Sequence, residues 1–132
     1  MGNHHQQKQS ALVDVFEHNG IIVIDYGPHG VVDLPRITEA LRLHREISID
    51  KRPVLLRCDD IIRADYDAQR FAVTNEVIAV TSAVAIVVKS FLARHLGNMF
   101  LRYHLHPYPT RLFENEIKAI DWLNSFKQQK EV

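Results

Sequence analysis

Two groups of residues have the types and spacing to do chemistry. The first is Lys89-Ser90 followed by Arg94, inside VAIVVKSFLARHLGNMF (84–100). An apolar run gives way there to a helix start, and a helix N-terminus carries partial positive charge and unpaired N–H groups that attract anions. Lys89, Ser90 and Arg94 are therefore candidate anion-binding residues. Architecture explains the same residues more simply, because serine is a preferred N-cap whatever the helix does. No glycine precedes Ser90 to admit a phosphate to the backbone. No Gly-rich or P-loop pattern occurs anywhere, so no cofactor is expected.

The second group is DDIIRADYDAQR (59–70), with Asp59, Asp60, Asp65, Tyr66, Asp67 and Arg70. Asp59-Asp60 end a strand where α/β enzymes often place catalytic groups, and paired carboxylates can serve as acid and base or hold Mg²⁺. Adjacent strand residues point to opposite faces, however, and no second acidic motif accompanies them. A helix cap accounts for Asp65 or Asp67. No catalytic residue is assigned, and the chain is expected not to be an enzyme.

The eight histidines raise the question of a metal. His104 and His106 stand two residues apart, which is not helical ligand spacing, and no H-E-x-x-H motif occurs. Cys58 is the only cysteine, so neither a structural zinc site nor an intramolecular disulfide can form from this chain alone. His4-His5 falls in a polar N-terminal stretch, and His95 reads as a packed or interface histidine. No metal site is expected.

Sixteen basic residues balance sixteen acidic ones over 132 residues. That length suits one domain with a core of its own, and the neutral balance gives no bulk attraction to nucleic acid or anionic lipid. Basic residues are scattered without interleaved aromatics, so no nucleic-acid partner is expected. The N-terminus lacks the apolar stretch of a secretory signal. Gln6 stands where N-myristoylation needs Ser or Thr, and no apolar run reaches the roughly 18–20 residues of a membrane span. With a single cysteine, a cytoplasmic location is the expectation.

These residues must be positioned by alternating strands and helices. After a tail over 1–10, two strand-like runs flank Asn19-Gly20, the pair best suited to a type I′ hairpin turn; the first run reads as an edge strand. Ile37, Ala40, Leu41, His44 and Ile47 recur at helical spacing after Asp33 and Pro35. A strand follows Pro53, placing Cys58 as a small core residue beside Val54 and Leu56. A helix over 67–80 comes next, then the β-branched strand VAIVV. The helix 91–104 is expected to bury the face made by Phe91, Leu92, His95, Leu96, Met99, Phe100 and Tyr103. TRLFE is a short last strand. The closing helix turns Ile117, Ile120, Leu123 and Phe126 inward. This order implies a mainly parallel five-stranded sheet with an N-terminal antiparallel hairpin strand and four main helices, one domain over 11–130. IIVI, VLL and VAIVV read as buried on both faces.

That order, with Arg111-Leu112-Phe113 as a short strand and Ala119 to Leu123 (Ala-x-x-Trp-Leu) in the last helix, resembles the STAS/SpoIIAA-like superfamily, and more narrowly its uncharacterised bacterial branch. The resemblance covers roughly residues 10–127. It implies a β-α superhelix with helices mainly on one side of the sheet, and a regulatory module that binds a partner protein. The family's phosphoacceptor serine would fall within Asp59–Asp67, which contains no Ser or Thr, so the phosphoswitch does not carry over. By analogy of position, the partner surface is Asp59, Asp60, Asp65, Tyr66, Asp67 and Arg70. The expectation is a non-enzymatic interaction module of unknown partner, with a homodimer as one form it could take. The alternative is a small-ligand or lipid-binding domain with an apolar pocket under helix 91–104, lined by Phe91, Met99, Phe100 and Tyr103.

Overall fold

In the computed structural model, residues 7–129 are described. The strands are β1 (Gln7–Gln9), β2 (Asp14–His18), β3 (Ile21–Asp25), β4 (Val31–Val32), β5 (Arg52–Arg57), β6 (Arg63–Ala64), β7 (Thr81–Val87) and β8 (Thr110–Phe113). The helices are α1 (Leu34–Ile47), α2 (Tyr66–Phe71), α3 (Asn75–Ile78), α4 (Phe91–Tyr103) and α5 (Glu116–Gln129). Six strands form one sheet in the order β1-β2-β3-β5-β7-β8, and β4 pairs with β6 in a small parallel ribbon.

The sheet is antiparallel across β1, β2 and β3 and parallel from β3 onward. Asn19 and Gly20 turn the hairpin with φ of 52° and 84°, the left-handed values that a type I′ turn requires. Five strands match the expected sheet. The sixth corrects it, since Gln7–Gln9, assigned to the tail, pairs with Asp14–Phe16 and removes β2 from the edge. A polar three-residue segment has no apolar alternation to betray a strand. Residues 1–6, including His4-His5, lie outside the described residues.

Helix starts follow local chemistry. Asp33 caps α1, its Oδ1 accepting from Arg36 N at 3.0 Å, and Pro35 sits in the first turn where its missing N–H is harmless. Ser90 caps α4 in the same way, accepting from Ala93 N at 3.0 Å. The helix expected over 67–80 is broken into α2 and α3, giving five helices rather than four. Thr74 ends the first piece by turning its hydroxyl back to the Phe71 carbonyl at 2.8 Å. Such side-chain competition, next to β-branched Val73, favours an interruption.

The strand order is sequential, so successive right-handed crossovers lay helices on one face. There Ala40 and Leu43 of α1 and Ala93 of α4 meet Ile22, Ile24, Val54, Val84 and Ile86. The other face, Ile21, Val23, Leu55, Ala83, Ala85 and Val87, is covered by α5 through Ala119 and Leu123. The strands are thus buried on both faces, and the closing helix is what covers the second one. Ala83, Ala85 and Ala119 leave room for close approach. Trp122 stacks edge-on against Phe126 at 4.8 Å and tilts over Phe113 at 5.7 Å. Arg57 ties the layer down, donating from Nε and Nη2 to the Glu116 carboxylate at 3.0 Å each. Ile117, expected inward, is exposed.

The stripe expected on α4 is also corrected. Its inward residues are Ala93, Leu96, Gly97 and Phe100, while Phe91, Leu92, His95, Met99 and Tyr103 face outward. Gly97 decides the orientation, because a Cβ there would lie 2.7 Å from Leu112 Cδ2. The helix therefore makes its closest approach at Ala93 and Gly97, with Leu96 and Phe100 beside them, and Phe91, Leu92, Met99 and Tyr103 remain outside.

Candidate functional site

The loops after β3, β5 and β7 meet at one end of the sheet. The β4–β6 ribbon ties 27–33 to 59–65, with Ile62 N donating to Gly30 O at 2.9 Å and Asp65 N to Val32 O at 2.8 Å. Gly30 is required here, since a Cβ would lie 2.5 Å from the Tyr26 carbonyl. The Asp59 carbonyl accepts from Lys89 N and Ser90 N at 2.7 and 3.0 Å. This junction brings the sequence's two candidate groups together.

Their charges are engaged with each other. Lys89 Nζ lies 3.8 Å from Asp59 Oδ2, and Arg94 Nε lies 2.8 Å from Glu114 Oε2. With both cations facing carboxylates and Ser90 capping the helix, the geometry of Lys89, Ser90 and Arg94 is that of a capped helix start. Asp60 accepts from His29 N at 3.0 Å. Asp65 stands at the N-cap position of α2, but its side chain makes no cap; Arg63 takes it at 2.7 Å. An open cleft of about 440 Å³ lies between Asp14, Asp25, Arg57, Asp59 and Asp60. Its central Arg57 is already held by Glu116 and Asp25, and the sequential strand order opens no reversal crevice there.

His104, His106 and Cys58 are packed against their neighbours. His104 Nε2 lies 3.0 Å from Gln69 Oε1, and His106 meets Phe100 edge-on at 4.9 Å. Burial and the neighbouring His106 and Arg70 lower the His104 pKa. Cys58 is buried in the core, and burial, with Asp59 and Asp25, pushes its thiol up to about 12, which removes it as a nucleophile at neutral pH. Among the described residues, no group of three His, Cys, Asp or Glu side chains is placed to hold a metal ion. No helix among them is long and apolar enough to cross a membrane.

What the junction does present is apolar surface. Phe91 is 84% exposed and Tyr103 67%, with Leu92 and Met99 between them on the outside of α4. Tyr66, 68% exposed, tilts over His104 at 5.8 Å and carries Arg70 at 6.0 Å from its ring. Ile62, also exposed, precedes β6, which contacts α4. Tyr66 and Arg70 lie beside the end of α4, whereas Phe91, Met99 and Tyr103 do not line a pocket. The residues under the helix are Leu96, Gly97 and Phe100, which line a cavity with Tyr26, Leu56 and Ala72. The sequence signal that separates the two sets is Ala93-x-x-Leu96-Gly97-x-x-Phe100, an i, i+3, i+4, i+7 face built on small residues.

No curated protein and no solved structure matches the chain. A family match covers residues 15–127, and the chain belongs to that family, described as a domain of unknown function (DUF7793).

Proposed function

We propose that this chain is a STAS-like, non-enzymatic interaction module that works as a homodimer through the outer face of α4 and the adjoining loop 59–66. One observation carries this reading: Phe91, Leu92, Met99 and Tyr103 lie outside a helix that packs inward through Ala93, Leu96, Gly97 and Phe100. Three aromatic rings at two-thirds exposure or more, Phe91, Tyr66 and Tyr103, are left outside together with Leu92, Met99 and Ile62, and exposed apolar surface of this kind marks interaction sites.

A second copy is the occupant that fits the charges. Asp60 and the Lys89–Asp59 pair sit at the start of α4, while Arg102 and the α2 residue Arg70 sit toward its end. An antiparallel two-fold pairing of α4 sets Arg102 and Arg70 of one copy against Asp60 of the other. Such an isologous contact closes on itself. Phe91, Leu92, Met99 and Tyr103 flank His95 on this face.

Phe91→Asp tests the surface. Phe91 is too exposed to support the core, so stability changes by less than about 0.5 kcal/mol. An aspartate at the interface weakens the dimer at least 100-fold, as expected for an aromatic anchor worth about 3 kcal/mol. Sedimentation equilibrium reads both: a dimeric parent and a monomeric variant are expected. A parent that stays monomeric at 100 times the usual working concentration, or a variant as dimeric as the parent, contradicts the proposal.

A further inference from the structure

Two cavities lie between the sheet and helices α1, α2 and α4. One measures about 80 Å³ and runs beneath Ala68 and Gln69 of α2 and Leu96, Gly97 and Phe100 of α4. The other measures about 70 Å³ and runs beneath Ala40, Leu41 and His44 of α1. Tyr26, Ile37, Leu56, Ala72 and Phe100 line both, so the two are adjoining lobes of one apolar space. Well-packed interiors contain few voids larger than a water molecule. Together the lobes are comparable to an engineered cavity of about 150 Å³ that takes up benzene.

The second lobe holds one polar anomaly. His44 is only 2% exposed, and its Nε2 has no hydrogen-bond partner among the described residues. An unpaired buried nitrogen costs about 1–3 kcal/mol, so a chain selected for stability alone would place leucine or phenylalanine there. Tyr108, also in this wall, has its hydroxyl committed to the Ala72 carbonyl at 2.5 Å. No Asp, Glu, Lys or Arg lines either lobe, so a charged ligand would be left unpaired.

We infer that the paired cavities bind a small, uncharged, mainly apolar molecule carrying one hydroxyl group, which hydrogen-bonds to His44 Nε2. An imidazole nitrogen can accept from a hydroxyl or donate to it, so a phenol or a short alcohol satisfies the site in either tautomer. A carboxylate does not. Gln69, which lines the first lobe, donates to the Ala64 carbonyl at 2.9 Å and meets His104 at 3.0 Å.

Phenol and benzene are the probes, because they differ by the one hydroxyl. Phenol is expected to shift the amide resonances of Leu41, His44, Ala72 and Phe100, and to raise the melting temperature by about 5 °C at ten times its Kd. It should bind about tenfold more tightly than benzene. In His44→Leu that preference disappears while benzene still binds. Ala72→Leu fills the wall shared by both lobes and abolishes binding of either probe, which keeps the test valid if His44→Leu fails to fold. Lining resonances that respond to neither probe would make the space a water site or a packing defect and overturn the inference. So would a phenol preference that survives His44→Leu, or binding that survives Ala72→Leu.

Discussion

Leu123→Ala lowers the unfolding free energy by about 3 kcal/mol, within the range for deleting a fully buried leucine. Leu123 has no exposed surface and meets Leu55, Ala85 and Val87 on the face of the sheet that α1 and α4 do not reach. Its neighbours Ala83, Ala85 and Ala119 have no side chain long enough to move into the space it leaves. For a domain whose whole stability is about 5–15 kcal/mol, this is a large loss. Urea unfolding measures it. Ile117→Ala, on the exposed side of α5, is the control and should change stability by less than about 0.5 kcal/mol. A Leu123→Ala midpoint close to that of Ile117→Ala would mean that α5 does not cover the sheet as described.

Acid destabilises the fold through His44. Burial, with a smaller contribution from the Arg52 charge, lowers its pKa from 6.5 to about 4. Between those values the unfolded chain holds a proton that the folded chain does not, so stability rises with pH. The contribution is complete above pH 6.5 and is lost as pH falls toward 4. A shift of this size corresponds to about 3 kcal/mol at most. Arg52, the charge nearest in effect, is paired with Glu17 at 2.8 Å. His44→Leu flattens the profile and, by removing an unpaired nitrogen, makes the protein about 1 kcal/mol more stable at pH 7. Parallel unfolding curves for parent and variant from pH 7.5 to 4.5 would assign the acid sensitivity elsewhere.

The inner strands were legible because both of their faces are buried, which leaves continuous apolar runs in IIVI, VLL and VAIVV. Asn19-Gly20, Asp33 with Pro35, and Ser90 were legible because turns and caps demand particular residues within a few positions. Facing was harder to read. An apolar stripe on α4 was visible, but its orientation depended on Gly97 meeting Leu112, a contact between residues fifteen positions apart. For α5 the stripe showed an inner side without showing which sheet face it would meet. The two-residue strands of the β4–β6 ribbon are too short to carry a period. His44 falls on the helical period of α1, yet only the assembled cavity shows that its nitrogen lacks a partner. Sequence pattern thus reports the burial of the inner strands well and the facing of α4 and α5 poorly, and the candidate surfaces here depend on that facing.

The most direct test of the proposed dimer surface is a cross-link at the middle of α4. His95 lies between Phe91 and Met99 on the outer row of α4, where an antiparallel two-fold pairing brings the two copies closest. His95→Cys supplies an exposed thiol, and Cys58 does not compete because it is buried. Under mild oxidation, His95→Cys should be captured as a disulfide-linked dimer, while Ile117→Cys, on the opposite layer, should remain monomeric. A His95→Cys protein that stays monomeric, or an Ile117→Cys protein that links as readily, would contradict the assignment of this face as the interface.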